Sequence, residues 1–330
     1  MNKSLSITSV AAIITAERRV VCWGNNMHGQ CDVPADLENV VAVCTGYEFA
    51  AALTAEGRVV TWGNAEFSVP ADVSSTTVTD ICSGTEHILV LTADGRVICW
   101  GIKSRGLKLC DIPDGIEPVI MITCGYYHNA ILTAAGEIVC WNREKCVRRI
   151  YQNILTICSS NFYTAILFKN TGTDSYDNSS NCFIYWCGSS MSKNHVSKNV
   201  PANEIFTDVN FGQGYAAGLT MDGRVLCWGE NDHGCLNASV DLRNVLFMHT
   251  CYWNTAVITA ERRVVCCGDN CCGLCDVPAD LENVVNVQLK PGYAVAITAD
   301  GRVVTWGTTI AKDRKIPADL VAQTGMVVLM

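Results

Sequence analysis

One short phrase returns eight times along the chain: a β-branched pair, a Trp or its substitute, then usually a Gly. Its anchors are Trp23-Gly24, Trp62-Gly63, Trp100-Gly101, Trp141-Asn142, Trp186 (with Gly188 one place late), Trp228-Gly229, Cys267-Gly268 and Trp306-Gly307. Successive anchors stand 39, 38, 41, 45, 42, 39 and 39 residues apart. A fixed period of about 40 marks a repeat architecture, in which a unit buries its apolar face only by stacking on its neighbours. The 330 residues therefore read as one domain, residues 1–330, and not as the two that length alone suggests.

Residues 40–72 serve to read one unit. Val40 to Cys44 and Phe49 to Thr54 are short apolar runs separated by a Gly-containing break, and Arg58 to Trp62 is a third. A short fourth run ends at Val69-Pro70-Ala71-Asp72. Runs of this length, bounded by Gly, Asn, Asp and Pro, are strands of a meander. The acidic-Gly turn after Thr54, Thr92 and Thr298 supplies the positive φ of a tight hairpin. Two copies, after Thr15 and Thr259, place Arg18 and Arg262 where the Gly would be, so those turns are either strained or of another type. The ring of each anchor is expected to fill the space between neighbouring sheets, contributing about 2–3 kcal/mol per copy. This structural role falls to Trp23, Trp62, Trp100, Trp141, Trp186, Trp228 and Trp306. Four-stranded units repeated radially make a β-propeller, and a β-solenoid is the runner-up. Residues Leu320 to Met330 read as another opening strand, which would join the first unit and close the ring.

Composition narrows the function. Apolar residues make up 49% of the chain and charged ones 17%, so there is ample material for a core. The net charge of −8 argues against a general nucleic-acid binder. The one basic cluster, Arg143, Lys145, Arg148 and Arg149, reads as a solvated loop. Of twenty cysteines, Cys22, Cys99, Cys140, Cys227 and Cys266 stand just before the anchor, where other copies hold Thr or Tyr, and Cys44, Cys82, Cys124 and Cys158 near the end of another strand, which is packing and not a disulfide framework. Reduced thiols fit a cytoplasmic or nuclear protein. The apolar N-terminus imitates a signal peptide, yet Ile14 to Cys22 recurs word for word as Ile258 to Cys266, so it is read as a strand of the first unit. No apolar run reaches membrane-spanning length.

Gly84-Thr-Glu-His87, Gly125-Tyr-Tyr-His128, the Leu-Thr-x-Asp-Gly-Arg-Val turn, Trp23-Gly-Asn-Asn-Met-His-Gly-Gln30 and the Val-Pro element together resemble the regulator-of-chromosome-condensation repeat family. Nearly the whole chain shares this pattern. The resemblance implies a β-propeller, usually of seven blades where eight copies are counted here. The short, near-uniform units are similar to the compact bacterial branch that includes beta-lactamase inhibitory protein II. In that relative, aromatic residues of the loops after the first strands are implied to be the main contacts.

In an antiparallel meander the loops after strands one and three share one face. The opposite face carries the near-constant Ala-Asp-Gly and Pro-Ala-Asp-Leu text and reads as structural. The first face varies, and it collects Tyr47, Glu48, Glu86, Tyr126, Tyr127, Phe162, Tyr252 and Trp253, with His28, Asp232 and His233 from the third-strand loops. Aromatic rings beside acids have the composition of binding hot spots. Asn25 and Asn26 in the same loops read as turn caps. The polar insertion 169–181 is drift or a contact loop.

No catalytic constellation emerges, and no cofactor or metal is expected. The run Cys266, Cys267, Cys271, Cys272, Cys275 lacks paired Cys-x-x-Cys spacing and a nearby His. The expected function is a non-catalytic, monomeric scaffold that binds another protein through the aromatic face. The alternative is a guanine-nucleotide exchange factor for a small Ran-like GTPase. No membrane partner and no direct nucleic-acid contact are expected.

Overall fold

The computed structural model describes residues 10–15, 17–102, 108–116, 118–142, 145–160, 163–168, 182–186, 196, 199–239 and 242–307. These residues form eight small antiparallel sheets in chain order. Sheet 1 holds Val10–Ile14 and Val20–Gly24. Sheet 2 holds Val40–Thr45, Phe49–Thr54 and Val59–Gly63, matching the three main runs read from the sequence to within one residue. Sheet 3 holds Val78–Ser83, His87–Thr92 and Val97–Gly101. Sheet 4 adds a fourth strand to Val119–Cys124, His128–Thr133 and Glu137–Asn142, namely Cys146–Ile150. Sheet 5 holds Ile154–Ser160, Tyr163–Phe168 and Cys182–Trp186. Sheet 6 holds Phe206–Phe211, Tyr215–Thr220 and Val225–Gly229. Sheet 7 holds Val245–Cys251, Asn254–Thr259 and Val264–Gly268. Sheet 8 holds Val284–Lys290, Tyr293–Thr298 and Val303–Gly307.

Within each sheet the second strand is central, and the first strands of successive sheets touch one another, which places them innermost. The second strands of sheets 2 to 6 and of sheet 8 are buried along their length, and in sheet 1 Val10–Ile14 is, so both faces of these sheets are packed. Sheet 8 also meets sheet 1, where Tyr293, Val295 and Ile297 pack on Ala11, Ile13 and Trp23. This is the radial arrangement of a β-propeller. The C-terminal strand expected to complete the ring lies outside the described residues.

The anchor rings sit between sheets, as their spacing implies. Trp100 packs in one cluster with Phe49 and Leu53 of sheet 2. Five of the indoles also donate back to a backbone carbonyl of the preceding unit: Trp62 to Gln30 at 3.0 Å, Trp100 to Phe67 at 3.1 Å, Trp141 to Leu109 at 2.9 Å, Trp228 to Val196 at 2.9 Å and Trp306 to Leu274 at 2.8 Å, whereas the buried Trp23 indole N–H meets no acceptor among the described residues. A buried donor left unmade is costly, so these bonds fix the register of one sheet on the next. The Gly after the anchor is required by close approach: a Cβ on Gly101 would stand 2.2 Å from the Glu86 carbonyl oxygen.

Two expectations change. The fourth run of sheet 2 is not a strand. Asn64 caps a 3-10 turn, Ala65–Phe67, by accepting from the Glu66 N–H at 3.0 Å, and Ala71–Ser74 forms one helical turn after Pro70. Among the described residues only sheet 4 has a fourth strand. There Asn142 replaces the Gly, and its N–H donates to the Lys145 carbonyl at 3.0 Å; in other copies the residue after the Gly donates to the first-loop carbonyl, as Asn64 does to Glu48. Cys146–Ile150 pairs with the strand before it, so Arg148 and Arg149 lie on a strand and not in a loop, and Arg143 lies outside the described residues.

The Arg-for-Gly turns keep the geometry of their Gly counterparts. Arg18 and Arg262 both have φ of 57°, and the Arg18 N–H to Thr15 carbonyl bond of 2.9 Å matches the Gly57 to Thr54 bond of 3.0 Å. A side chain in this region costs roughly 1–2 kcal/mol, partly offset by the chain entropy a Gly would lose. Arg18→Gly and Arg262→Gly are each expected to raise stability by about 0.5–1 kcal/mol, read as a higher urea midpoint at unchanged slope.

Candidate functional site

The loops after the first and third strands do share a face, and the third-strand loop of one sheet reaches the first loop of the next. His28 of sheet 1 stands 3.9 Å from the Glu48 carboxylate of sheet 2. His233 of sheet 6 stacks on Trp253 of sheet 7, with ring centroids 4.2 Å apart. The asparagines of these loops are turn caps: Asn26 accepts from the Cys31 N–H at 2.6 Å, and Asn270 from the Cys275 N–H at 2.8 Å. First loops are tied to one another through the backbone. The Tyr47 N–H donates to Thr85 at 2.9 Å, Thr85 Oγ1 to the Tyr126 carbonyl at 2.9 Å, and the Gln213 N–H to the Tyr252 carbonyl at 2.6 Å.

The rings of sheets 4 and 7 meet. Tyr127 lies edge-on to Tyr126 at 6.4 Å, the Tyr126 and Tyr252 hydroxyls share a hydrogen bond, and Tyr252 lies edge-on to Trp253 at 6.1 Å. With His233 this makes one row of five rings. Burial, then the neighbouring Cys251, holds the Tyr126 phenol above its ordinary range. Tyr127 and Tyr47 are the exposed members, at 42% and 45%, while Tyr126, Tyr252 and Trp253 are half-buried. Tyr252 has a φ of 49°, an uncommon conformation for a large residue.

The acids of this face are placed differently from the aromatic residues. Glu48 and Glu86 are 9% and 8% exposed, and Glu48 accepts from Asn64 Nδ2 at 2.6 Å, so it braces the loop below the surface. Asp232 and His233 are exposed. Phe162 and the 169–181 insertion lie outside the described residues.

Sequence reasoning missed the groups nearest the axis. Lys290 closes the first strand of sheet 8 and is 7% exposed. Burial lowers its ammonium to about 8, with the Cys251 thiol opposing. His249 is lowered to about 3 by burial and by Lys290, and its Nδ1 accepts from the Leu289 N–H at 3.2 Å. Among the first strands of sheets 5, 6 and 7, a cavity of about 200 Å³ is bordered by Ser159, Asp208 and Asn210. Burial raises the Asp208 carboxyl there. The alternating strand pattern marks these residues as inner-strand positions but gives no signal that they converge. Among the described residues no three His, Cys, Asp or Glu side chains come together as metal ligands, and no helix is long and apolar enough to cross a membrane.

No curated protein sequence matches the chain. The ectodomain of the Arabidopsis thaliana receptor kinase ACR4, termed the CRINKLY WD40 ectodomain, is similar in fold at a TM-score of 0.55 and 16% identity, over 82% of this chain and 97% of that one. The ectodomain of the Physcomitrella patens receptor kinase CR4 gives 0.55 and 15%, over 82% and 74%. Yeast RCC1 (Prp20), in a complex with Kap60, gives 0.51 and 13%, over 94% and 82%. At these identities the likeness is one of fold alone. Residues 40–68, 78–106 and 206–235 match the regulator of chromosome condensation (RCC1) repeat, and the chain is thus a β-propeller that carries RCC1-type repeats.

Proposed function

We propose that the protein is a non-catalytic interaction module that holds a partner protein on its first-loop face. The observation that carries this reading is the continuous row Tyr127, Tyr126, Tyr252, Trp253 and His233. Tyr and Trp offer large rigid contact areas at small entropic cost, and they dominate binding hot spots. Half-buried rings braced from below are already ordered before binding, which lowers the cost of association. The free thiols fit a cytoplasmic or nuclear setting, and the net charge of −8 turns the reading away from nucleic acid.

The test is capture from the source cell's lysate with two baits, the native chain and a Tyr47→Ala, Tyr127→Ala, Trp253→Ala variant of matched thermal stability. One partner is expected on the native bait, with affinity for the variant reduced about 100-fold or more. Equal capture by both baits overturns the face. A captured small GTPase that releases labelled nucleotide faster in the presence of the protein would replace this reading by the exchange-factor one.

A further inference from the structure

Two units pair thiols in a way that the packing role of cysteine does not use, and a third holds cysteines at the same two places. The cysteine just before the anchor, on the third strand, faces a cysteine in the loop that follows. Cys99 Sγ is 2.9 Å from Cys110 Sγ, and Cys266 Sγ is 3.7 Å from Cys275 Sγ. Cys22 and Cys31 hold the same two places in sheet 1, where the Cys31 thiol donates to the Asn25 carbonyl at 3.2 Å. In all three units the loop cysteine directly follows the residue whose carbonyl accepts the next anchor's indole: Gln30, Leu109 and Leu274. The thiol pair therefore sits at the root of the bond that joins one sheet to the next.

We infer that Cys22–Cys31, Cys99–Cys110 and Cys266–Cys275 are sites of reversible disulfide formation with a glutathione-type disulfide as oxidant. The loop thiolate attacks one sulfur of the oxidant, forming a mixed disulfide and releasing one glutathione thiol. The strand thiolate then attacks the protein sulfur of that mixed disulfide and expels the second glutathione. Two protein thiols are oxidised to one disulfide, and one glutathione disulfide is reduced to two thiols.

Geometry and access select these pairs. All six cysteines are partly exposed, and the backbone N–H groups of Cys31 and Cys275 are already held by Asn26 and Asn270. Cys82 and Cys124 are as close, at 2.8 Å, but both are buried between sheets 3 and 4. They have the separation without the access and form an internal control. Each bridge would tie the carbonyl-bearing loop to its own strand, holding the acceptor where the next indole needs it.

The test is to incubate the full chain with glutathione disulfide, alkylate the remaining thiols, and map non-reduced peptides. The expected links are 22–31, 99–110 and 266–275, with Cys82 and Cys124 alkylated only after unfolding. Thermal unfolding of the linked form is expected to rise by about 3 °C per bridge. Cys110→Ser should remove its own link and its share of the rise while the other two links persist. Glutathione adducts at exposed Cys146 and Cys271 without internal links, or links scattered among other cysteines, overturn the inference. Links that form with no rise in Tm overturn the clamping role.

Discussion

Lowering the pH from 7 to 5 is expected to remove about 3–4 kcal/mol of stability, through His87 and His249. His87 is 1% exposed. Burial holds its imidazole at about 4, the bond to Asn129 opposing. Asn129 donates its Nδ2 to the Leu109 carbonyl at 2.9 Å, so its Oδ1 must face His87 Nε2, 2.8 Å away, as an acceptor. The His87 proton is therefore on Nε2, and Nδ1 is buried with no acceptor to receive a second one. His249 is held lower still, at about 3, by burial and by Lys290, and protonating its Nδ1 would break the bond from the Leu289 N–H. Both folded values lie below the unfolded value, so the unfolded chain binds more protons between them. The contribution is fully present above about pH 6.5 and is lost as pH falls towards 4 and 3. Asp80 and Asp208, raised by burial, take up protons earlier in the fold and oppose part of the loss. Urea midpoints at pH 7 and 5 measure the drop. His87→Gln keeps an N–H donor and does not titrate, so about half the drop should vanish. An unchanged pH dependence would overturn the assignment.

Local chemistry was legible and ring geometry was not. The three strands of sheet 2, the hairpin turns and the Gly after Trp62 all follow from short-range patterns, and each lies where the sequence places it. The sharing of a face by first and third loops is a consequence of antiparallel order, and His28 beside Glu48 realises it. The burial of Glu48 and Glu86 depends on loop–loop stacking within and between units, which no single repeat reveals. The bond between Tyr126 and Tyr252 joins sheets 4 and 7 and exists only because the chain curves back on itself. The fourth strand of sheet 4 had a signal, Asn142 in place of Gly, whose meaning depends on the first-loop carbonyl that normally takes the next N–H. The thiol pairs were hidden because no single copy shows that its loop cysteine folds back on the strand cysteine, although 22–31 and 266–275 share one spacing.

Gly84→Ala is expected to cost about 3 kcal/mol or more, and the reason lies in the Gly-x-x-His text itself. In sheets 2, 3 and 6 the ring at the start of the second strand lies over the glycine three residues before it. An added Cβ would stand 2.1 Å from the Phe49 ring at Gly46, 2.2 Å from His87 Cε1 at Gly84 and 1.8 Å from the Tyr215 ring at Gly212. The ring cannot swing away freely, because it links to the next sheet: His87 to Asn129 at 2.8 Å, His128 to Thr164 at 2.9 Å and Tyr215 to Thr255 at 2.9 Å. At Gly84 the new methyl would also lie 2.6 Å from the Gly125 carbonyl oxygen. That loop is held in turn, by the Gly125 N–H on the His128 carbonyl at 2.9 Å and by Thr85 on Tyr126. Neither neighbour can give without breaking a buried bond. Gly115→Ala is the comparison: its φ of 67° is strained for Ala, but nothing lies within 4 Å of the new Cβ, so about 1 kcal/mol is expected. Equal urea midpoints for the two variants would refute the ring-over-glycine account. Because Thr85 carries Tyr126, Gly84→Ala should also weaken partner capture at temperatures where the variant is still folded, whereas Gly115→Ala should not.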